Sequence, residues 1–187
     1  MFGSRQHSEV DSTGQVDTGA FGSFRSIETK ESIMTNATKS VMTGGCQCGA
    51  VRYALMSEPT HASICHCRMC QKAFGNYFAP LTGVPRKDLV WTAGQPGTFR
   101  SSEAAERGFC RDCGTPLTYS YLENDRISVS IGSLDEPGRV TPEIQYGLES
   151  KLPAFEMLHT LPGERTDDYA TPAELEKMAS RQHPDHD

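Results

Sequence analysis

The chain has 187 residues, with 18 basic and 24 acidic side chains and a formal net charge of −6. An acidic balance of this kind disfavours non-specific attraction to nucleic acid phosphate or to an anionic membrane, and the length suits one domain around one core. Only 36% of the residues are hydrophobic and no stretch approaches the roughly 18 consecutive apolar residues of a spanning helix, so either part of the chain stays unfolded or metal supplements the core.

Residues 1–41 are rich in Ser, Thr, Gly and Gln, keep no period over more than a few residues, and read as a disordered extension. Met34 and Met42 both stand before the first cysteine motif, and one reading starts the natural chain at Met34, with the upstream stretch an over-extended reading frame. The N-terminus lacks the basic patch and apolar run of a secretory signal, which makes a reducing cytoplasm the expected location.

From Gly44 onward the pattern changes to short runs of period two separated by Gly and Pro. Val51, Tyr53 and Leu55 alternate with Arg52 and Ala54, and Ile127, Val129 and Ile131 alternate with Ser128 and Ser130. Further strands are expected at Tyr77–Leu81, Leu89–Trp91, Thr98–Arg100 and Leu117–Tyr121, with turns at Thr82–Pro85, Ala93–Gly97 and Asp135–Gly138. Glu143–Tyr146 and Ala154–Leu158 supply the last strand candidates. Many short strands with close turns predict an all-β or mainly β domain.

Two helices are expected. One is a short helix or turn over Arg68–Phe74; the other starts at Thr171-Pro172-Ala173-Glu174, where Thr caps, Pro takes the first helical position and Glu stands three residues after the cap. Only Leu175 and Met178 give the second an apolar stripe, so residues 161–187 read as a solvated acidic tail with a short helix. From Glu164 that tail carries seven acids and three bases, which accounts for most of the net charge.

All seven cysteines lie between Cys46 and Cys113. An odd, clustered count is not a complete disulfide framework, and in a reducing compartment it points to metal or redox chemistry. Residues two apart on an extended segment face the same way, so Cys46 and Cys48 can share an ion, and Cys110-Arg111-Asp112-Cys113 does the same around a tight knuckle. Gly49 and Gly114 follow these pairs where the backbone must turn sharply. Together the pairs make a four-cysteine set of the kind that holds a structural zinc.

Cys65, Cys67 and Cys70 remain. Three thiolates on one ion leave a fourth position open, the mark of a catalytic rather than a structural zinc. The division into four and three therefore predicts two zinc ions per chain. Spacing alone leaves another partition open, such as Cys46 and Cys48 with two of the middle thiols, and for the triplet leaves open a second structural site closed by a His or carboxylate and a metal-free redox role. His66, between two ligands, is expected to point away from them as a supporting or surface group; His61 and His159 read as ordinary polar positions.

These segments are similar to a known family. Gly44-Gly45-Cys46-Gln47-Cys48-Gly49-Ala50-Val51-Arg52-Tyr53, Cys65-His66-Cys67-Arg68-Met69-Cys70-Gln71-Lys72-Ala73-Phe74-Gly75, Arg107-Gly108-Phe109-Cys110-Arg111-Asp112-Cys113-Gly114-Thr115-Pro116-Leu117 and Gly132-Ser133-Leu134-Asp135 resemble the glutathione-dependent formaldehyde-activating enzymes, a family that also includes the centromere protein V domain. The resemblance covers about residues 42–160. It implies a zinc-bearing, mainly β fold of the Mss4-like type built from short antiparallel strands. It also implies a structural zinc on Cys46, Cys48, Cys110 and Cys113 and an active-site zinc on Cys65, Cys67 and Cys70. The implied activity is that of a carbon–sulfur lyase run in reverse, joining formaldehyde to glutathione as S-hydroxymethylglutathione. The chain departs from the family pattern in carrying Glu143-Ile144 and Pro153-Ala154 where members often have His-Ile and Pro-Trp. That departure bears on the substrate rather than on the zinc chemistry.

Three thiolates over-neutralise the zinc dication and leave a soft centre suited to a further thiol, whose ionised form is the nucleophile. The expected partners are a small thiol such as glutathione and a small aldehyde, with no nucleic acid and no membrane; the oligomeric state is left open. Arg52, Arg68 and Lys72 are candidates to meet substrate carboxylates. The competing readings are a non-catalytic zinc-stabilised binding module and a thiol-based redox or metal sensor.

Overall fold

A computed structural model describes residues 39–186 of the chain. The expected N-terminal extension lies almost wholly outside the described residues, as does Met34 with the proposed start. Val41 donates its N–H to the carbonyl of Leu55 at 2.8 Å and packs on the core.

The fold is mainly β. Its strands are β1 (Met42–Gly45), β2 (Arg52–Leu55), β3 (Thr60–Cys65), β4 (Ala79–Pro85), β5 (Leu89–Ala93), β6 (Gly97–Arg100), β7 (Ala105–Phe109), β8 (Pro116–Tyr121), β9 (Arg126–Ser130) and β10 (Ile144–Tyr146). Three α-helices accompany them among the described residues: α1 (Arg68–Phe74), α2 (Thr166–Tyr169) and α3 (Pro172–Lys177). A small sheet runs in the order β1-β2-β5 and a seven-stranded sheet in the order β10-β3-β4-β9-β8-β7-β6. Neighbours are antiparallel apart from β10, which lies parallel to β3 with Tyr146 opposite Cys65.

Tyr53 and Leu55 of β2, Val84 of β4, Leu117 of β8 and Val129 of β9 are wholly buried in one cluster contributed by both sheets. Each such apolar side chain stabilises the fold by about 1.5–3 kcal/mol. In β2 all four residues are buried, so the expected alternation of Arg52 and Ala54 toward solvent does not hold. Arg52 is held inside by a two-pronged ion pair with Asp135, Nη1 to Oδ1 at 2.8 Å and Nη2 to Oδ2 at 2.6 Å.

The observed elements depart from expectation at other points. Thr82–Pro85 is no turn but the second half of β4, which pairs with β9 as far as Pro85 opposite Arg126. The pairing of β4 with β3 reaches only to Gly83, so the missing N–H of Pro85 costs no ladder bond on that side. Ala154–Leu158 is not a strand. It lies in a 3-10 helix, Pro153–Thr160, begun by the fixed φ of Pro153. Strands β1, β3 and β7 had no forecast. β3 carries a register shift and a positive φ at His61, and β7 holds Glu106 and Arg107 where an apolar rhythm would have marked it.

Helix α1 matches its forecast residue for residue and ends at Gly75 in the left-handed conformation. Helix α3 has the expected cap: the Thr171 hydroxyl accepts from the Glu174 N–H and the Glu174 carboxylate accepts from the Thr171 N–H at 2.8 Å. Beyond it the exposed chain returns to the domain, where the N–H of His183 donates to the carbonyl of Gln47 at 2.8 Å. No described helix is long and apolar enough to cross a membrane.

Candidate metal centres

Two turns of like construction bring the outer cysteines together. In the β1–β2 turn, the Cys46 N–H donates to the Val51 carbonyl at 2.9 Å and the Gly49 N–H to the Cys46 carbonyl at 3.1 Å. In the β7–β8 turn, the Cys110 N–H donates to the Thr115 carbonyl at 2.9 Å and the Gly114 N–H to the Cys110 carbonyl at 3.0 Å. Gly49 at φ 79° and Gly114 at φ 77° supply the left-handed residue that closes each knuckle. The turns face one another, and the Gln47 N–H reaches the Thr115 hydroxyl at 3.1 Å.

The ligand atoms of Cys46, Cys48, Cys110 and Cys113 all lie within 4.8 Å of one another. Cys46 and Cys48 have their sulfurs 3.5 Å apart, and Cys48 and Cys110 have theirs 3.8 Å apart. Four sulfurs bound tetrahedrally to one zinc are about 3.8 Å apart, whereas a disulfide brings two to about 2 Å. All seven cysteines are free thiols, and the spacing of this set fits a tetrahedral ion. The Val51 N–H also points at the Cys46 sulfur, 3.3 Å away. Burial opposes ionisation of Cys113, but hydrogen bonds led by the Thr115 hydroxyl outweigh it and hold the thiol down at about 6.

Cys65, Cys67 and Cys70 form a second group whose ligand atoms are also within 4.8 Å of one another. Among the described residues no histidine or carboxylate joins them. Cys65 ends β3, Cys67 caps α1 and Cys70 lies in its first turn. The connecting loop is held from behind. The Gln71 amide donates to the carbonyls of His66 at 2.6 Å and Ser150 at 2.9 Å, and the His66 N–H donates to the Tyr146 carbonyl at 2.8 Å. A side chain at Gly147 would meet the Cys67 backbone nitrogen at 2.7 Å, so only glycine lets this backing approach.

His66 points away from the cluster as expected, but it is no surface group. It is wholly buried, its Nε2 meets the Gln145 side chain at 2.9 Å, and its ring packs edge-on against Phe78 and Phe155. His61 and His159 are exposed and outside both clusters.

Sequence reasoning missed Arg107 as a site residue. Only 4% exposed, it donates from Nη2 to the Cys70 sulfur at 3.2 Å and lies over the Tyr119 ring at 4.8 Å. The hydrogen bond with Cys65 holds the Cys70 thiol down, at about 5, and Arg107 adds to this; the same sulfur contact pushes Cys65 up. Arg107 also lines a surface cavity of about 510 Å3 together with Arg68, Met69, Lys72, Phe99 and Arg100. Of the substrate-contact candidates, Arg68 and Lys72 therefore border this cavity, whereas Arg52 is committed to Asp135 on another face.

The sequence profile of the glutathione-dependent formaldehyde-activating enzymes matches residues 41–149, a segment holding both cysteine groups. The chain belongs to this family. Its relatives include an uncharacterized lyase of Schizosaccharomyces pombe, 33% identical over 78 residues, which are 42% of this chain and 56% of that protein. The match thus spans a little over half the length of that relative. A Rhodobacter sphaeroides protein of known crystal structure aligns over 56% of this chain and 99% of its own, at 25% identity and a TM-score of 0.45. The family match ends at residue 149, so Phe155, which packs on His66, lies beyond it.

Proposed function

We propose that the protein is a zinc-dependent carbon–sulfur lyase of the formaldehyde-activating type, forming or cleaving a thiol–aldehyde adduct such as S-hydroxymethylglutathione. The observation that carries this reading is the convergence of Cys65, Cys67 and Cys70, with no fourth protein ligand among the described residues, beside a cavity bordered by four cationic side chains. Cys46, Cys48, Cys110 and Cys113 would hold a structural zinc and Cys65, Cys67 and Cys70 a second one, giving two per chain. Residues 42–160 would form the zinc domain and 161–187 an acidic tail. The sulfur-only donor sets suit a soft ion.

When bound by the three thiolates, zinc supplies Lewis acidity that favours the ionised form of a thiol and one coordination position for it. The protein's own residues do the rest. Gln71 and the His66 backbone hold the cysteine loop in place from behind, and Arg107 presents a buried positive charge to it. Arg68, Lys72 and Arg100 draw carboxylates to the cavity of an otherwise acidic protein. Synthesis forms one bond between the thiol sulfur and the aldehyde carbon; the proton that leaves the sulfur is matched by the one gained on the new hydroxyl.

The test combines metal analysis with kinetics. Purified protein should contain two zinc ions and speed adduct formation from glutathione and formaldehyde above the spontaneous rate. Protein that holds both ions yet neither binds a small thiol nor exceeds that background would end this reading.

A further inference from the structure

Arg107 is a buried cation without a carboxylate. It is 4% exposed, and among the described residues no Asp or Glu forms an ion pair with it. Two of its nitrogens, Nε and Nη1, have no hydrogen-bond partner, and its contacts on the charged end are the Cys70 sulfur and the Tyr119 ring. An unpaired buried charge is costly, so a cation kept in this position must answer an anion nearby. The neighbouring group able to supply negative charge is the three-cysteine cluster itself. Three thiolates around a divalent ion sum to a charge of about −1, and a further thiolate would deepen it. The Arg107 charge offsets the first of these and halves the second.

We propose that Arg107 is a positioning residue for the reaction: acting through Cys70, it is the counter-charge that permits an anionic fourth sulfur to join the three-cysteine centre, whatever else the incoming thiol carries. This rests on the assignment of a second metal to Cys65, Cys67 and Cys70. It differs from the carboxylate recognition suggested for the cavity's other cations, because it acts on the thiol group alone.

The test uses full-length protein loaded with cobalt(II) in place of zinc, in which each cobalt–sulfur bond adds to a charge-transfer absorption. Wild type and R107M are titrated with 2-mercaptoethanol, a neutral thiol with no carboxylate, and with mercaptosuccinate. At the separations of a thiolate site, removal of one neighbouring unit charge weakens binding of a further anion by roughly tenfold to a hundredfold. R107M should lose that much affinity for both thiols, while R107K, which keeps the charge, stays within about threefold of wild type. Unchanged affinity for 2-mercaptoethanol with weakened binding of mercaptosuccinate would overturn the proposal and make Arg107 a carboxylate receptor. Unchanged affinity for both would make it structural. If R107M does not take up two metals, R107K decides alone: a tenfold fall for the neutral thiol overturns the proposal, and retention supports it. Wild type that takes up only one cobalt would instead remove the second metal site, and this inference with it.

Discussion

The two cysteine groups are built on different principles. The four-cysteine group comes from two hairpin turns of one design, each closed by its own backbone hydrogen bonds and a left-handed glycine. The three-cysteine group comes from a single strand-to-helix loop that is also braced by residues about 80 positions later, at Gln145, Tyr146 and Ser150. One of its sulfurs, that of Cys70, also meets a buried cation, whereas Cys46 is met by a backbone N–H. A set that satisfies its ion with protein ligands needs only rigid geometry. A set that leaves a position free must also manage charge, and that requirement is met from elsewhere in the chain.

Substitutions can break this contrast. The largest effect is expected of Cys110→Ser, since an apparent binding energy of roughly 10–16 kcal/mol ties a structural zinc to folding. The variant should be insoluble or unfolded by circular dichroism. Cys67→Ser should remain folded with one zinc and lose adduct formation down to the spontaneous rate; if both variants unfold alike, the division into structural and reactive centres is wrong.

Asp135→Asn is next in size. It removes the two-pronged carboxylate partner of the buried Arg52 next to the four-cysteine turn and should cost about 3–5 kcal/mol in denaturant unfolding. Burial alone would raise the Asp135 carboxyl, but the Arg52 and Thr43 hydrogen bonds hold it below its ordinary 3.8. Its contribution to stability is therefore complete above about pH 4 and is lost as pH falls through the lower folded value. Below that range the variant and the wild type should converge.

A smaller effect is expected of Gly147→Ala. The added methyl meets the Cys67 backbone and the residue sits at φ 69°, so roughly 1–3 kcal/mol of strain falls on the three-cysteine loop. Zinc should leave that centre faster in a chelator competition, with the four-cysteine ion released at the wild-type rate. Equal acceleration at both would show that the centres are mechanically joined.

Much of this arrangement was legible in the sequence because its signals are local. Cysteine spacing and the trailing glycines marked both knuckles, and the residues from Arg68 to Phe74 and from Thr171 to Glu174 carried their helices in their own chemistry. Where a residue's role depends on a distant partner, the sequence was silent. Arg107 meets Cys70 across 37 positions, and His66 is packed by Phe78 and by Phe155 of the 3-10 helix Pro153–Thr160. Strand β7 hid for the same reason, since a buried arginine interrupts the apolar alternation that identifies strands.

The parallel pairing of β10 with β3 also carries a consequence for how the protein is made. All four ligands of the knuckle pair have been synthesised once the ribosome passes Cys113, and the strands around them follow within a few residues. The loop of Cys65, Cys67 and Cys70 is made earlier, yet it lacks its bracing until residues 144–150 emerge. On a nascent chain the cysteine group whose sulfurs appear in the middle of the sequence is thus the last to take its final form, after the turns of the four-cysteine group have already met.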